Sequence, residues 1–168
     1  MSERSSAPGS LALVEALVNT LDIETGADSL DTVEGRARLG ISEAELERAR
    51  ELRESLRTVL LAHAGHPPHR RVTPLGELLA RAPLLVSVDA RDGSATLAPA
   101  DDGPLLSRVA AAVAEALVAG TWTRLKACEA ATCHWAFYDR SPAGRGRWCS
   151  MQVCGARAKM RRYRAKQT

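Results

Sequence analysis

Four cysteines in the last 48 residues of this 168-residue chain constrain its fold more than any other feature. They form two C-x4-C pairs separated by fifteen residues: Cys128, Cys133, Cys149 and Cys154. In a reducing compartment, two closely spaced thiol pairs favour one tetrahedral zinc ion over disulfides, because each pair supplies two corners of the coordination sphere. His134, next to Cys133, is an alternative ligand, although four thiolates already complete a closed site.

A closed four-cysteine site leaves no coordination position for water or substrate, so it predicts one structural ion rather than a hydrolytic centre. A segment of roughly 45 residues is close to the size below which a metal is needed for folding. We expect Trp135, Phe137 and Trp148 to form a hydrophobic shell around the ion. The chain shows no nucleophile paired with a base and no phosphate-binding glycine loop, so we expect it not to be an enzyme.

Charge divides the sequence at the same place as the cysteines. Residues 1–120 carry 12 Lys/Arg and 18 Asp/Glu, whereas residues 121–168 carry 11 and 2, which gives balances of −6 and +9. All six aromatic residues also follow residue 120. This division predicts a disordered lead-in at 1–9, a first domain at 10–120 and a second domain at 121–168. Since no apolar run is long enough to span a membrane and the N-terminus has no signal-peptide pattern, we expect a cytoplasmic protein with no membrane partner.

The first domain is predicted to be helix-rich with one β-hairpin. Helical periodicity, the Ser42/Glu45 capping box and prolines at helix starts predict helices at 11–21, from 42 to about 65, at 74–81 and at 104–120. Two β-compatible runs, at 84–88 and 94–98, flank an Asp-Gly pair typical of tight turns. The predicted class is therefore α+β and mostly helical, followed by a small treble-clef-like zinc finger that ends in a basic helix.

The second predicted helix carries one apolar stripe, from Ala49 through Leu52 and Leu56 to Val59 and His63. The stripe lasts barely two heptads, which favours a face of a globular core over a coiled-coil dimer seam. We expect the charged residues of this helix to lie largely around its remaining faces. The loop that follows, with its remaining histidines, is interpreted as solvated. A homodimer stays an open alternative.

The C-terminal stretch predicts a basic helix. Its apolar residues Val153, Ala156, Met160 and Tyr163 recur at helical spacing, and we expect this stripe to face the zinc core. Because the helix has many cations and no carboxylate, we favour binding to DNA over a solvated tail or docking on the acidic first domain. RNA or an acidic protein are alternative partners. The candidate nucleic-acid contacts are Arg145, Arg147, Arg157, Lys159, Arg161, Arg162, Arg164 and Lys166.

These residues carry a family resemblance. The Cys128-x4-Cys133 pair, the Arg-Trp-Cys-Ser-Met run at 147–151 and the Val-Cys-Gly-Ala-Arg-Ala-Lys run within 153–159 resemble the CGNR zinc-finger family, named for a Cys-Gly-Asn-Arg signature. In that family the finger follows an ABATE domain, and the Leu-Val-Asn-Thr-Leu-Asp run at 17–22 is similar to its opening.

The resemblance implies a bacterial stress-induced transcription regulator whose first domain senses an unidentified small-molecule effector or a partner. It implies zinc on Cys128, Cys133, Cys149 and Cys154. It also implies DNA contacts from the helix that bears Arg157, Lys159, Arg161 and Arg162. The chain departs from the signature at Ala156, where the family has Asn; we expect this position to face the core and any bond made by the Asn to be lost.

Overall fold

The computed structural model describes residues 6–101 and 103–167. In chain order these residues form α1 (Leu11–Val18), α2 (Val33–Arg38), α3 (Leu46–His63), α4 (Leu75–Leu79), β1 (Leu84–Val88), β2 (Ala95–Pro99), α5 (Leu105–Val118), β3 (Leu125–Ala127), β4 (Ala136–Tyr138) and α6 (Ala156–Arg164). A π-helical turn, Met151–Gly155, leads into α6. The predicted α+β class is confirmed. Across the described ranges, no helix has both the length and the apolar character needed to cross a bilayer.

Local sequence signals explain where several elements begin and end. The Ser42 amide donates to Glu45 Oε2 at 3.0 Å, as expected of a capping box at the start of the α3 segment. Gly65 has a φ of +79° and follows the end of α3, where the His66 amide donates back to the Leu61 carbonyl. Gly93 has a φ of +72° in the turn that joins β1 to β2. These two strands pair antiparallel, with Val86 opposite Leu97.

Strands β3 and β4 pair antiparallel and form a second hairpin, and one hydrophobic core joins the helices to it. Leu17 of α1, Leu56 of α3 and Val109 of α5 are fully buried in it. The same cluster contains Leu125, Ala127 and Ala136 from β3 and β4. The C-terminal hairpin is therefore held in place by the helical part of the chain.

Helix α3 is buried on more sides than its apolar stripe predicted. Arg53, Glu54 and Arg57 were expected to lie around the polar faces, but all three are buried. Arg57 Nη1 donates to both Glu54 carboxylate oxygens at 2.6 Å, and its Nη2 donates to the Val18 carbonyl at 2.6 Å. Arg53 Nη1 lies 2.7 Å from Asp28 Oδ2. Mutual charge pairing thus allows these residues to be buried.

The lead-in predicted at 1–9 lies partly outside the described residues, which begin at Ser6. Residues 6–9 contact the fold. Ala7 is buried, and its amide donates to Glu15 Oε2 at 2.6 Å. Arg140 Nη2 donates to the Ser6 carbonyl at 2.7 Å.

Candidate metal centre and basic helix

The second hairpin and the turn before α6 bring the four cysteines together. Cys128 directly follows β3 and Cys133 lies in the loop before β4, whereas Cys149 and Cys154 come from the segment that leads into α6. Their sulfur atoms all lie within 4.8 Å of one another. A hairpin loop and a helix start that each supply two thiols form the treble-clef-like arrangement predicted from the sequence.

The spacing of the sulfurs fits a tetrahedral zinc ion. Sγ of Cys149 lies 3.7 Å from that of Cys133 and 3.8 Å from that of Cys154. Zinc–sulfur bonds of about 2.3 Å in a tetrahedron place the sulfurs about 3.8 Å apart. All four thiols are free rather than joined in disulfides. The cluster is therefore a site for one structural zinc ion.

The alternative ligand His134 has a different contact. Its Nδ1 lies 3.0 Å from the carbonyl oxygen of Cys128. Its φ of +46° is unusual for a residue other than glycine, and it occurs where the loop turns back toward β4. Among the described residues, the group able to hold a metal consists of the four cysteines without His134.

Mutual electrostatics show why this cluster needs a cation. Hydrogen bonds from Cys133 and Cys149 lower the pKa of Cys128. The hydrogen bond to Cys128 raises the pKa of Cys133, and hydrogen bonding to Cys128 and Cys133 together with burial raises the pKa of Cys149. Four thiolates this close together repel one another, so full deprotonation requires a bound cation such as Zn²⁺.

The hydrophobic shell is only partly as predicted. Cys128 and Cys154 are buried, and Trp148 packs against the cysteine cluster together with Ala130. Within residues 6–101 and 103–167, neither Trp135 nor Phe137 belongs to that packed group. Trp148 therefore couples the loop before Cys149 to the metal site.

A buried ion pair, not recognised from the sequence, shapes the loop between β4 and Cys149. Lys126 Nζ donates to Asp139 Oδ2 at 2.9 Å, and the Gly146 amide donates to the same oxygen at 2.7 Å. Although burial opposes ionisation, hydrogen bonds from Ser141 and Lys126 hold the pKa of Asp139 below its ordinary value. A Cβ at Gly146 would lie 2.8 Å from this carboxylate. In the sequence, the available signal for this ion pair was a lysine between two apolar residues, Leu125 and Ala127. The structure buries all three residues in β3.

The predicted nucleic-acid contacts are all exposed, but they lie on more than one surface. A groove of about 820 Å³ lies between α6 and the loop before Cys149. Trp148 and Tyr163 line this groove together with Glu129 and five of the predicted cations: Arg147, Lys159, Arg161, Arg162 and Lys166. We call it the basic groove.

The acid in the basic groove is already paired. The Arg147 guanidinium forms an ion pair with the Glu129 carboxylate. The same guanidinium carbon lies 5.3 Å from the centroid of the Trp148 ring. Arg157 instead lines a cleft beside α1, where its Nη1 lies 2.9 Å and 3.0 Å from the two carboxylate oxygens of Glu24.

The predicted orientation of the apolar stripe on the C-terminal helix is wrong. Val153 is 43% exposed, Met160 is 51% exposed and Tyr163 is 59% exposed, and Ala156 is exposed as well. Within α6, the buried residue is Ala158. After its first turn, α6 extends away from the metal cluster, so most of its residues are exposed to solvent. Position 156 consequently lies on the surface and not toward the core.

The histidines at the end of α3 and in the loop after it contact the finger, so the loop histidines are not solvated as predicted. His63 Nδ1 lies 2.8 Å from the Leu125 carbonyl oxygen, and its ring packs edge-on against Trp122. His66 Nε2 lies 3.6 Å from Glu129 Oε2. The His69 ring lies 5.6 Å from that of His134. These contacts add to the shared core.

Two cysteine pairs on a hairpin and a helix start, held by a helical body, define a zinc-finger protein. Comparison with known families agrees with this class. Residues 124–167 match the CGNR zinc finger, and residues 11–120 match ABATE, described as "Putative stress-induced transcription regulator". The chain therefore belongs to the ABATE family and carries a CGNR zinc finger at its C-terminal end. No curated protein matches the chain.

Proposed function

We propose that the protein is a cytoplasmic transcription regulator that binds DNA through the basic groove and the exposed faces of α6. The observation that carries this proposal is the composition of the groove, in which five cations face one carboxylate that Arg147 already neutralises. When such a surface binds DNA, its cations displace counterions condensed on the phosphates, and the release of these counterions favours binding.

The geometry of α6 supports contact with a duplex. Nine residues of helix extend from the metal cluster, and an α-helix fits the major groove of B-DNA. The buried Ala158 faces the finger, which leaves the cationic flanks of the helix available for phosphates. The zinc ion supports this arrangement structurally, and its four protein ligands leave no position for catalysis.

The first domain is the regulatory part in this proposal. The Arg157–Glu24 ion pair joins α6 directly to the segment after α1. An effector that bound to the first domain and altered this ion pair or the shared core would change the position of α6, and therefore its access to DNA.

One observation favours a second candidate, single-stranded nucleic acid. Trp148 and the exposed Tyr163 both line the basic groove, and exposed aromatic rings between cations are platforms on which unpaired bases stack. This alternative uses the same groove, so the two candidates differ in the polymer that binds most tightly.

Competition binding tests the proposal. Zinc-loaded full-length protein is titrated against a labelled duplex by fluorescence anisotropy, with unlabelled duplex DNA, single-stranded RNA and heparin as competitors. The proposal expects duplex DNA to compete more strongly than RNA of equal charge. Lys159→Glu should weaken binding, whereas Arg38→Glu, which changes an exposed cation of α2, should not. Preferential binding of RNA would replace this proposal with the second candidate.

A further inference from the structure

A cavity in the first domain has the features of a ligand site. It has a volume of about 400 Å³ and lies between α3, α4 and the start of α5, beside the base of the first hairpin. This volume is within the range of about 300–1,000 Å³ that is common for small-molecule pockets. The basic groove and the metal cluster do not share residues with it.

The floor of this cavity is apolar. Its buried lining residues are Ala49, Leu52, Leu78, Ala82 and Leu105. They come from three helices and the turn after α4, so the floor is built by the fold rather than by one mobile loop. It would accept the hydrocarbon part of a ligand.

The acidic residues at the rim already have hydrogen-bond donors. Glu45 accepts from the amides of Ser42 and Leu105, at 3.0 Å in both cases. Glu51 accepts from the Thr73 hydroxyl at 2.6 Å, and Asp101 accepts from the Gly103 amide at 3.1 Å. These carboxylates are therefore engaged in holding the helix starts and loops around the cavity.

The basic residues at the rim differ from the acidic ones in their hydrogen bonding. In the part of the chain that the structure describes, the guanidinium groups of Arg48 and Arg81 have neither an ion pair nor a hydrogen bond. Ser107 is buried on the first turn of α5 and also lines the cavity. Two unpaired guanidiniums and a hydroxyl above an apolar floor favour an anionic head group on a hydrocarbon body.

We propose that this cavity binds a small amphipathic carboxylate, with its carboxylate between Arg48 and Arg81 and its hydrocarbon part on the apolar floor. A singly charged head is favoured over a phosphate, because the three nearby acids repel each added negative charge. The suggestion that such a ligand is the regulator's effector rests on the proposed function, but the binding itself does not.

Calorimetric titration of the full-length, zinc-loaded protein with octanoate tests this site without DNA. The matched probes are octylamine, 1-octanol and octyl phosphate, which share the hydrocarbon chain and differ in the head group. We expect octanoate to bind at one site per chain and more tightly than each of these probes. Equal or tighter binding of any of these probes, or no binding of octanoate, would overturn the proposal.

Variants locate the site. The double substitution Arg48→Ala with Arg81→Ala should weaken octanoate at least tenfold, whereas Arg38→Ala, at an exposed arginine of α2, should leave it unchanged. Ala82→Leu adds a larger side chain to the floor and should also weaken binding while both arginines remain. Unchanged affinity in the double variant would contradict the assignment. Because no nucleic acid is present, this result is independent of the DNA-binding proposal.

Discussion

Asn19 and Ala136 exchange two hydrogen bonds across 117 residues of sequence. Asn19 Nδ2 donates to the Ala136 carbonyl at 3.0 Å, and the Ala136 amide donates to Asn19 Oδ1 at 2.7 Å. A side-chain amide at the end of α1 thus satisfies both backbone groups of a β4 residue. The helical domain and the zinc finger are joined by specific polar contacts as well as by the shared core.

Asn19→Ala should therefore destabilise the protein. It leaves the amide and carbonyl of buried Ala136 without their partner, which costs on the order of 1–3 kcal/mol. Urea unfolding followed by circular dichroism measures the change in the free energy of unfolding. Asn19→Asp retains the acceptor for the Ala136 amide but places a carboxylate oxygen against the Ala136 carbonyl, so it should also destabilise the protein at neutral pH. Wild-type stability of Asn19→Ala would show that these bonds do not hold the finger.

Removal of zinc should disorder the cysteine loops and α6, while β3 and β4 stay packed in the shared core. All three tryptophans lie after residue 120, and Trp148 packs against the cysteines, so tryptophan fluorescence reports on this part of the chain. Chelation should shift the emission to longer wavelength, and added Zn²⁺ should reverse the shift whereas Mg²⁺ should not. Elemental analysis should find one zinc per chain before chelation. A folded, metal-free finger with unchanged emission is the opposing outcome.

The buried charges of α3 predict acid sensitivity. Burial opposes ionisation of Glu54, but hydrogen bonds from His69 and Arg57 hold its pKa below the ordinary value of 4.5. A carboxyl group with a lowered pKa contributes stability above the unfolded-state pKa of about 4.5, and this contribution is lost as the pH falls further. The urea midpoint of the wild type should decrease in this range.

Glu54→Gln provides the matched test. It leaves the buried Arg57 without a counter-charge and should cost about 3–5 kcal/mol at neutral pH. The variant should also lose part of the decrease in stability between pH 5 and pH 3, because its amide does not titrate. If wild type and variant show the same dependence on pH, Glu54 is not the group responsible.

Glu24→Gln should strengthen binding to duplex DNA. The Arg157–Glu24 pair is about half exposed, so it is a weak interaction that solvent and salt screen. Release of Arg157 should raise affinity by about twofold to fivefold in low salt. Glu34→Gln removes the same charge from an exposed acid of α2 and is the control for a general electrostatic effect. Equal gains from both variants would show that the ion pair does not restrain α6.

Local and regular signals were sufficient to predict much of the fold and the metal site. Cysteine spacing predicted the cluster, the Ser42/Glu45 pair predicted the start of the α3 segment, and the Asp-Gly turn predicted the first hairpin. The capping box and the turn each lie within a few residues of the element that they determine, and the cysteines are recognised by their regular spacing along the chain.

The remaining features depend on contacts between distant residues. Arg57 is buried because the Val18 carbonyl and Glu54 accept its hydrogen bonds, and Arg53 is paired with Asp28. Periodicity alone places such charges on a solvated face. The apolar stripe on α6 likewise suggested a buried face, but that helix extends away from the core that would cover it.

The most direct test of the central claim is the dependence of duplex binding on salt. Arg147 is paired with Glu129, and the other four cations of the basic groove predict a slope of about −3.6 for the logarithm of the association constant against the logarithm of salt concentration. The double substitution Lys159→Glu with Arg162→Glu, shown by elemental analysis to retain one zinc, should make the slope shallower by about 2. A wild-type slope near zero, or an identical slope in the zinc-loaded variant, would contradict DNA binding through this groove.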